Sequence, residues 1–154
     1  MTTLRIYLDT SVYGGCFDDE FAKDSLRLIE EIKAGRFTLV LSDAVVTELK
    51  RAPEHIWAVA RDLPQHVVET TRLNPAMVAL KQAYLDAKVV GPASEADAEH
   101  IAIATVAHVN MIVSWNFKHI VHFEKIAGYH SVNLRLGYGQ PGIYSPKEVV
   151  TYEN

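Results

Sequence analysis

Leu4-Arg5-Ile6-Tyr7-Leu8 is a short, mostly apolar run that stops abruptly on Asp9, and no other stretch restricts the possible folds as much. Apolar runs of this length without strict alternation suit strands buried on both faces, which occur in parallel sheets covered by helices. Asp9 then falls where the strand leaves the sheet, and ligands of open α/β sheets bind beyond the carboxyl ends of the strands. A carboxylate held there must be paired, metal-bound or hydrated.

Similar runs recur along the chain at Phe37 to Leu41, His66 to Thr70, Met111 to Ser114 and Ile143-Tyr144. Helical patterns fill the intervals. Thr10 to Cys16, with Gly14 and Gly15, suits a short irregular or helical turn. Asp18, Asp19 or Glu20 starts a helix with Phe21, Leu28, Ile29 and Ile32 on one face, the acids favouring its positive end, and Gly35 closes it. Ser42-Asp43 is an N-cap signal, followed by Ala44, Val45, Leu49 and Ala52 on one side. Glu48 falls inside that apolar stripe, where it is either a functional carboxylate or half of a structural ion pair. Pro53 ends this helix and the next covers His55 to Arg61.

Asn74-Pro75 opens a helix through Met77, Leu80, Tyr84 and Ala87 to about Lys88, and Val89 to Ala93 is a loop. Ser94 opens another, with Asp97, Ile101, Ala104 and His108 sharing a face. Ser94-x-x-Asp97 also reads as a capping box, which accounts for Asp97 without chemistry. A last long helix spans about His122 to His130, and Ser145-Pro146-Lys147-Glu148 caps the tail. Strands alternating with helices predict the α/β class: a single three-layer α/β/α domain over residues 1–154, with a mainly parallel central sheet.

A chain of 154 residues buries roughly 70% of the surface its unfolded form exposes, enough for a core without staples. With 49% hydrophobic and 22% charged residues, disorder and low complexity are excluded. One cysteine, Cys16, rules out an internal disulfide, and with no apolar signal segment the expectation is a reducing cytoplasm. No run reaches the roughly 18 apolar residues of a membrane span. The formal charge of -4 argues against a broad basic face for nucleic acid. A local site remains open if metal ions supply the positive charge.

Asp9 and Asn116 at strand ends, and Glu48 and Asp97 on helices, could converge on one rim. Three crowded carboxylates repel one another, so without a cation at least one should hold its proton far above the usual range. Mg2+ or Mn2+ resolves the conflict with hard oxygen ligands, and phosphodiester hydrolysis is the chemistry such a site supports. Trp115, Lys118 and His119 lie beside the acids and could stack a base and touch phosphate. They read equally as a partly buried tryptophan and solvated surface charges, as do Lys50 and Arg51.

Leu8-Asp9-Thr10-Ser11, the inward Glu48, the stretch from Asp97 to Thr105 and the stretch from Ile112 to Ile120 resemble, in order and spacing, a PIN domain. The likeness covers about residues 4 to 145 and is most similar to the VapC-like proteins of bacteria and archaea. It implies a metal-dependent endoribonuclease, often the toxin of a type II toxin-antitoxin pair, with RNA as substrate, a cognate antitoxin peptide and a homodimeric state. Position by position, Asp9, Glu48 and Asp97 match the acidic metal ligands of that family. Asn116 stands where a further aspartate is usual, after a small hydroxyl residue that Ser114 matches. An amide carbonyl can still coordinate magnesium, but the lost charge weakens a second metal site. Ser11 matches a hydroxyl that supports the first aspartate.

Other readings fare worse. His119, His122 and His130 have no accompanying cysteine or His-Glu-x-x-His pattern for zinc. A Gly-x-Ser-x-Gly elbow, a phosphate-binding loop and a dinucleotide fingerprint are absent. An aspartyl phosphatase wants a second acid two residues after the first, where Ser11 stands. The competing function is a PIN-like module that Asn116 leaves unable to cleave, binding RNA or protein instead.

Overall fold

The computed structural model describes residues 3–153. Its elements, in order, are β1 (Leu4–Leu8), α1 (Thr10–Gly15), α2 (Ala22–Lys33), β2 (Phe37–Ser42), α3 (Asp43–Arg51), α4 (Glu54–Arg61), β3 (Val68–Thr71), α5 (Pro75–Asp86), α6 (Glu95–Val106), β4 (Met111–Val113), α7 (Phe123–Arg135), β5 (Gly142–Tyr144) and α8 (Pro146–Val149). The five strands form one parallel sheet in the order β3-β2-β1-β4-β5. β1 is the middle strand, with Ile6 opposite Leu39 on β2 and Leu8 opposite Val113 on β4. Ile6, Tyr7 and Leu8 are at most 1% exposed, so both faces of this strand are covered. That is why its side chains read as a continuous apolar run rather than an alternation.

The chain steps from β1 to β2 to β3 in one direction, then returns across the sheet to β4 and β5 beyond β1. Right-handed crossovers put the helices of the two journeys on opposite faces. The packing follows that division: α1 to α4 and α8 pack among themselves, and α5 packs on α6 and α7. This is the three-layer α/β/α architecture. The strand order reverses between β1 and β4, the point at which sheets of this kind form a crevice beyond their strand ends.

Local chemistry explains most boundaries. Ser42 Oγ accepts from Val45 N–H at 3.1 Å and Asn74 Oδ1 from Met77 N–H at 2.9 Å, capping α3 and α5. Gly35, at φ +85°, ends α2 with Arg36 N–H bonded to Glu31 O and Gly35 N–H to Ile32 O. The start of α2 differs from the sequence expectation. Asp18 accepts from Glu20 N–H through its side chain and from Phe21 and Ala22 N–H through its carbonyl. The acidic trio therefore forms a turn ahead of the helix. α6 ends at Val106, leaving His108 exposed at φ +59° beyond the helix instead of on the face shared with Asp97, Ile101 and Ala104. Ala98 and Ile101 to Thr105 are all buried, because this helix lies sandwiched within its layer. No helix among the described residues is long and apolar enough to cross a membrane.

Candidate functional site

Asp9 follows β1 directly, and its N–H donates to Val113 O at the end of β4. The residue is thereby held against the end of β4, 4% exposed. Ser11 Oγ donates to Asp9 Oδ1 at 2.6 Å and accepts from Trp115 N–H at 3.0 Å. Ser114 Oγ, 3.4 Å from Ser11 Oγ, accepts from Asn116 N–H at 2.9 Å. Burial pushes the Asp9 carboxyl above the usual carboxylate range. The two serine hydroxyls and the charge of His100 pull the other way, and Asp97 adds to the rise.

Glu48, on α3, has 36% of its side chain exposed yet is held at both oxygens. Thr10 Oγ1 donates to Oε2 at 2.8 Å and His100 Nε2 to Oε1 at 2.9 Å. Burial alone would raise its pKa, but the His100 bond and charge, with Thr10 and Arg51, bring it below the usual value. His100 is 3% exposed, and burial disfavours its charged ring; the bond and charge of Glu48, with Asp9 and Glu99, outweigh that and raise its pKa. Behind the ring, Tyr7 Oη lies 2.7 Å from His100 Nδ1 and 2.8 Å from Ser42 Oγ. Tyr7, Thr10, Ser42 and His100 were not among the candidate site residues of the sequence reading. The available signals were small: Tyr7 lies two residues before Asp9 on β1, and His100 three after Asp97 on a helix.

Asp97, in the first turn of α6, makes no capping box, since the Ser94 side chain bonds no backbone N–H of that turn. Its Oδ1 instead accepts from Asn116 Nδ2 at 3.2 Å. Burial lifts the Asp97 carboxyl above its usual range. His119, His100 and the Asn116 bond oppose the rise, and Glu48 reinforces it. Asn116 Oδ1 accepts from both Lys118 N–H (3.1 Å) and His119 N–H (2.9 Å). Those two donors fix the amide orientation, so Asn116 turns its nitrogen, and not its carbonyl, to Asp97. In this arrangement Asn116 meets Asp97 through its amide nitrogen, while two backbone donors take its carbonyl oxygen.

The flanking residues divide. Trp115 stacks on Phe21 at 4.3 Å between centroids, and its Nε1 donates to Ser25 Oγ at 2.8 Å. One face of the indole is thus spent on α2 rather than offered to a base. Lys118 is exposed, and His119 is half-buried beside Asp97. The Lys50 ammonium lies over the Trp57 ring, while Arg51 lines an open groove with Thr47, Glu48 and Glu99. Two of the three histidines of the zinc reading are engaged separately: His122 caps α7 and His130 bonds Pro141 O.

Asp9, Glu48 and Asp97 thus share one electrostatic neighbourhood, each perturbed by another acid or by His100. Among the described residues neither Asp9 nor Asp97 forms a salt bridge, and the only one at Glu48 is with His100. Two carboxyls raised by burial and without a lysine or arginine partner are what a hard divalent cation would offset. Among the described residues no group of three or more His, Cys, Asp or Glu side chains is arranged so that it could hold a metal ion. Magnesium does not require such a group, since it keeps several waters and takes one or two carboxylates. In comparisons with known proteins, no family model matches the chain, and no curated protein matches it.

Proposed function

We propose that the protein is a PIN-like, Mg2+- or Mn2+-dependent endoribonuclease, of the kind that serves as the VapC-like toxin of a toxin-antitoxin pair. The observation carrying this reading is the position of Asp9 at the ends of β1 and β4, without a lysine or arginine partner and within electrostatic reach of Asp97, which Glu48 reaches in turn. The sequence resemblance supports it independently. Asp9 and Asp97 would hold the cation and Glu48 would complete the oxygen donor set; the bound ion supplies charge neutralisation and an acidified water for phosphodiester hydrolysis. Ser11 and Ser114 orient Asp9, Thr10 and His100 orient Glu48, and Asn116 orients Asp97. Lys118, exposed on the adjoining loop, would touch the RNA backbone. A cytoplasmic setting, an antitoxin peptide and a homodimer belong to the same proposal.

Asn116 favours a second reading, a weakened PIN-like module that binds RNA or protein, because it offers Asp97 an amide where the likeness calls for a further charge. Purified protein incubated with mixed RNA in Mn2+ decides between them, with Asp9→Asn as control. Cleavage that disappears in the variant supports the nuclease, and equal cleavage by both proteins assigns it to contamination. Mn2+ binding without cleavage supports the module.

A further inference from the structure

We infer that His100 is the positioning residue of this acidic site: it fixes the Glu48 carboxylate, and Tyr7 and Ser42 fix His100. The inference rests on the metal-dependent reading above and names a role within it. Glu48 projects from a helix with a third of its side chain in solvent, and no lysine or arginine bridges it among the described residues. Left to itself, such a side chain samples several rotamers. The buried imidazole removes that freedom by donating Nε2–H to Oε1, while Thr10 holds the other oxygen.

The ring is in turn locked from behind. Val45 N–H donates to Ser42 Oγ, which bonds Tyr7 Oη, which bonds His100 Nδ1. Each bond of the relay can form whether the ring is neutral or charged. With a neutral ring, Ser42 donates to Tyr7 and Tyr7 to Nδ1; with a charged ring both bonds reverse, and Ser42 Oγ accepts from Tyr7. Nε2–H faces Glu48 in both cases, so the grip on Glu48 does not depend on the ring's charge. The relay also joins the segments that carry the acids. Tyr7 shares β1 with the approach to Asp9, Ser42 starts the helix of Glu48, and His100 sits one turn beyond Asp97 on α6. Partners that orient a metal-binding carboxylate are typically worth 10- to 100-fold in metal affinity.

The test is calorimetric titration of Mn2+ into the metal-free full chain, comparing wild type with His100→Ala, His100→Gln and Tyr7→Phe. His100→Ala should weaken Mn2+ binding by about ten-fold or more, as loss of an orienting partner does. His100→Gln, whose amide NH2 can take the place of Nε2–H, should recover most of it, and Tyr7→Phe should weaken binding by a smaller factor. A crystal structure of metal-free His100→Ala should show the Glu48 carboxylate turned away from Thr10. Wild-type affinity in His100→Ala or Tyr7→Phe overturns the assignment and leaves the metal-dependent reading standing. Equal loss in His100→Ala and His100→Gln marks the histidine as structural only. A wild-type chain that takes up no Mn2+ removes the metal-dependent reading, and the role of His100 with it.

Discussion

Asp9 is a carboxylate that the fold holds at a disadvantage. Its folded-state pKa lies above the usual value of 3.8, so at neutral pH its ionised form costs stability that a neutral isostere does not. Asp9→Asn keeps the acceptor for Ser11 and removes the charge. The metal-free variant should melt a few degrees above wild type near neutral pH, while both RNA cleavage and stabilisation by Mn2+ disappear. A lower melting temperature in Asp9→Asn would mean that the carboxylate is not strained. Asn116 predicts the opposite pattern. Asn116→Asp retains the acceptor for Lys118 and His119 N–H but sets a second carboxylate oxygen against Asp97. Without metal it should lower the melting temperature, and with Mn2+ the gain should exceed that of wild type. Equal Mn2+ gains in the two proteins would place residue 116 outside the ion's reach. Asp9, Glu48 and Asp97 were legible in the sequence because a charged residue at a strand end or in an apolar stripe contradicts its surroundings. His100 was not, since a histidine within an apolar helix looks like any core residue until Glu48 and Tyr7 are seen on either side. Nor can residue order reveal which end of the Asn116 amide faces Asp97.

The strands were easier to read than the helix ends. β1, β2 and β4 are buried on both faces, and that constraint writes itself into consecutive side chains such as Ile6, Tyr7 and Leu8. Helix starts depend on which local hydrogen bond wins. The acids at 18 to 20 satisfy the preference for an N-terminus, yet Asp18 caps its own turn and α2 begins at Ala22. Trp115 shows how such loops are fastened to helices. Its indole reaches across to Ser25 and Phe21 of the α2 segment, past Gly15 at the end of α1. A Cβ at residue 15 would lie 2.7 Å from Ser25 Oγ and 2.9 Å from Trp115 Nε1. Gly15→Ala should therefore break the Trp115–Ser25 bond and cost about 1–3 kcal/mol, the usual penalty of overpacking, despite the better helix propensity of alanine. Urea unfolding measures the loss, and the tryptophan emission should shift toward the red. A variant as stable as wild type, with unchanged emission, would show that α1 and the loop after β4 move apart freely.

Two carboxyls raised by burial, a buried histidine and a glutamate lowered by it meet at one end of the sheet, and this should govern how stability depends on pH. Asp9 and Asp97 have folded-state pKa values above 3.8, so their contribution is complete below that value and is lost as the pH rises through the raised ones. His100 is raised above its usual 6.5, so its contribution is complete below 6.5 and is lost at higher pH. Glu48 is lowered from 4.5, so it contributes above that value and loses its contribution as the pH falls below it. Acid therefore costs the Glu48 bonds, and alkali costs the His100 charge while two crowded carboxylates stay ionised. The metal-free protein should be most stable between about pH 4.5 and 6.5, below the neutral pH at which a nuclease would work. A divalent cation binds only the ionised acids, so it adds most where the bare protein is weakest. Thermal melts at about pH 5.5 and about pH 7.5, with and without Mn2+, should show stability falling with pH in the bare chain and a larger Mn2+ gain at the higher value. Asp9→Asn should flatten both trends, since it removes the more deeply buried of the two carboxylates that drive them. A bare protein that grows steadily more stable up to about pH 8 would mean that the site balances its acids without a cation.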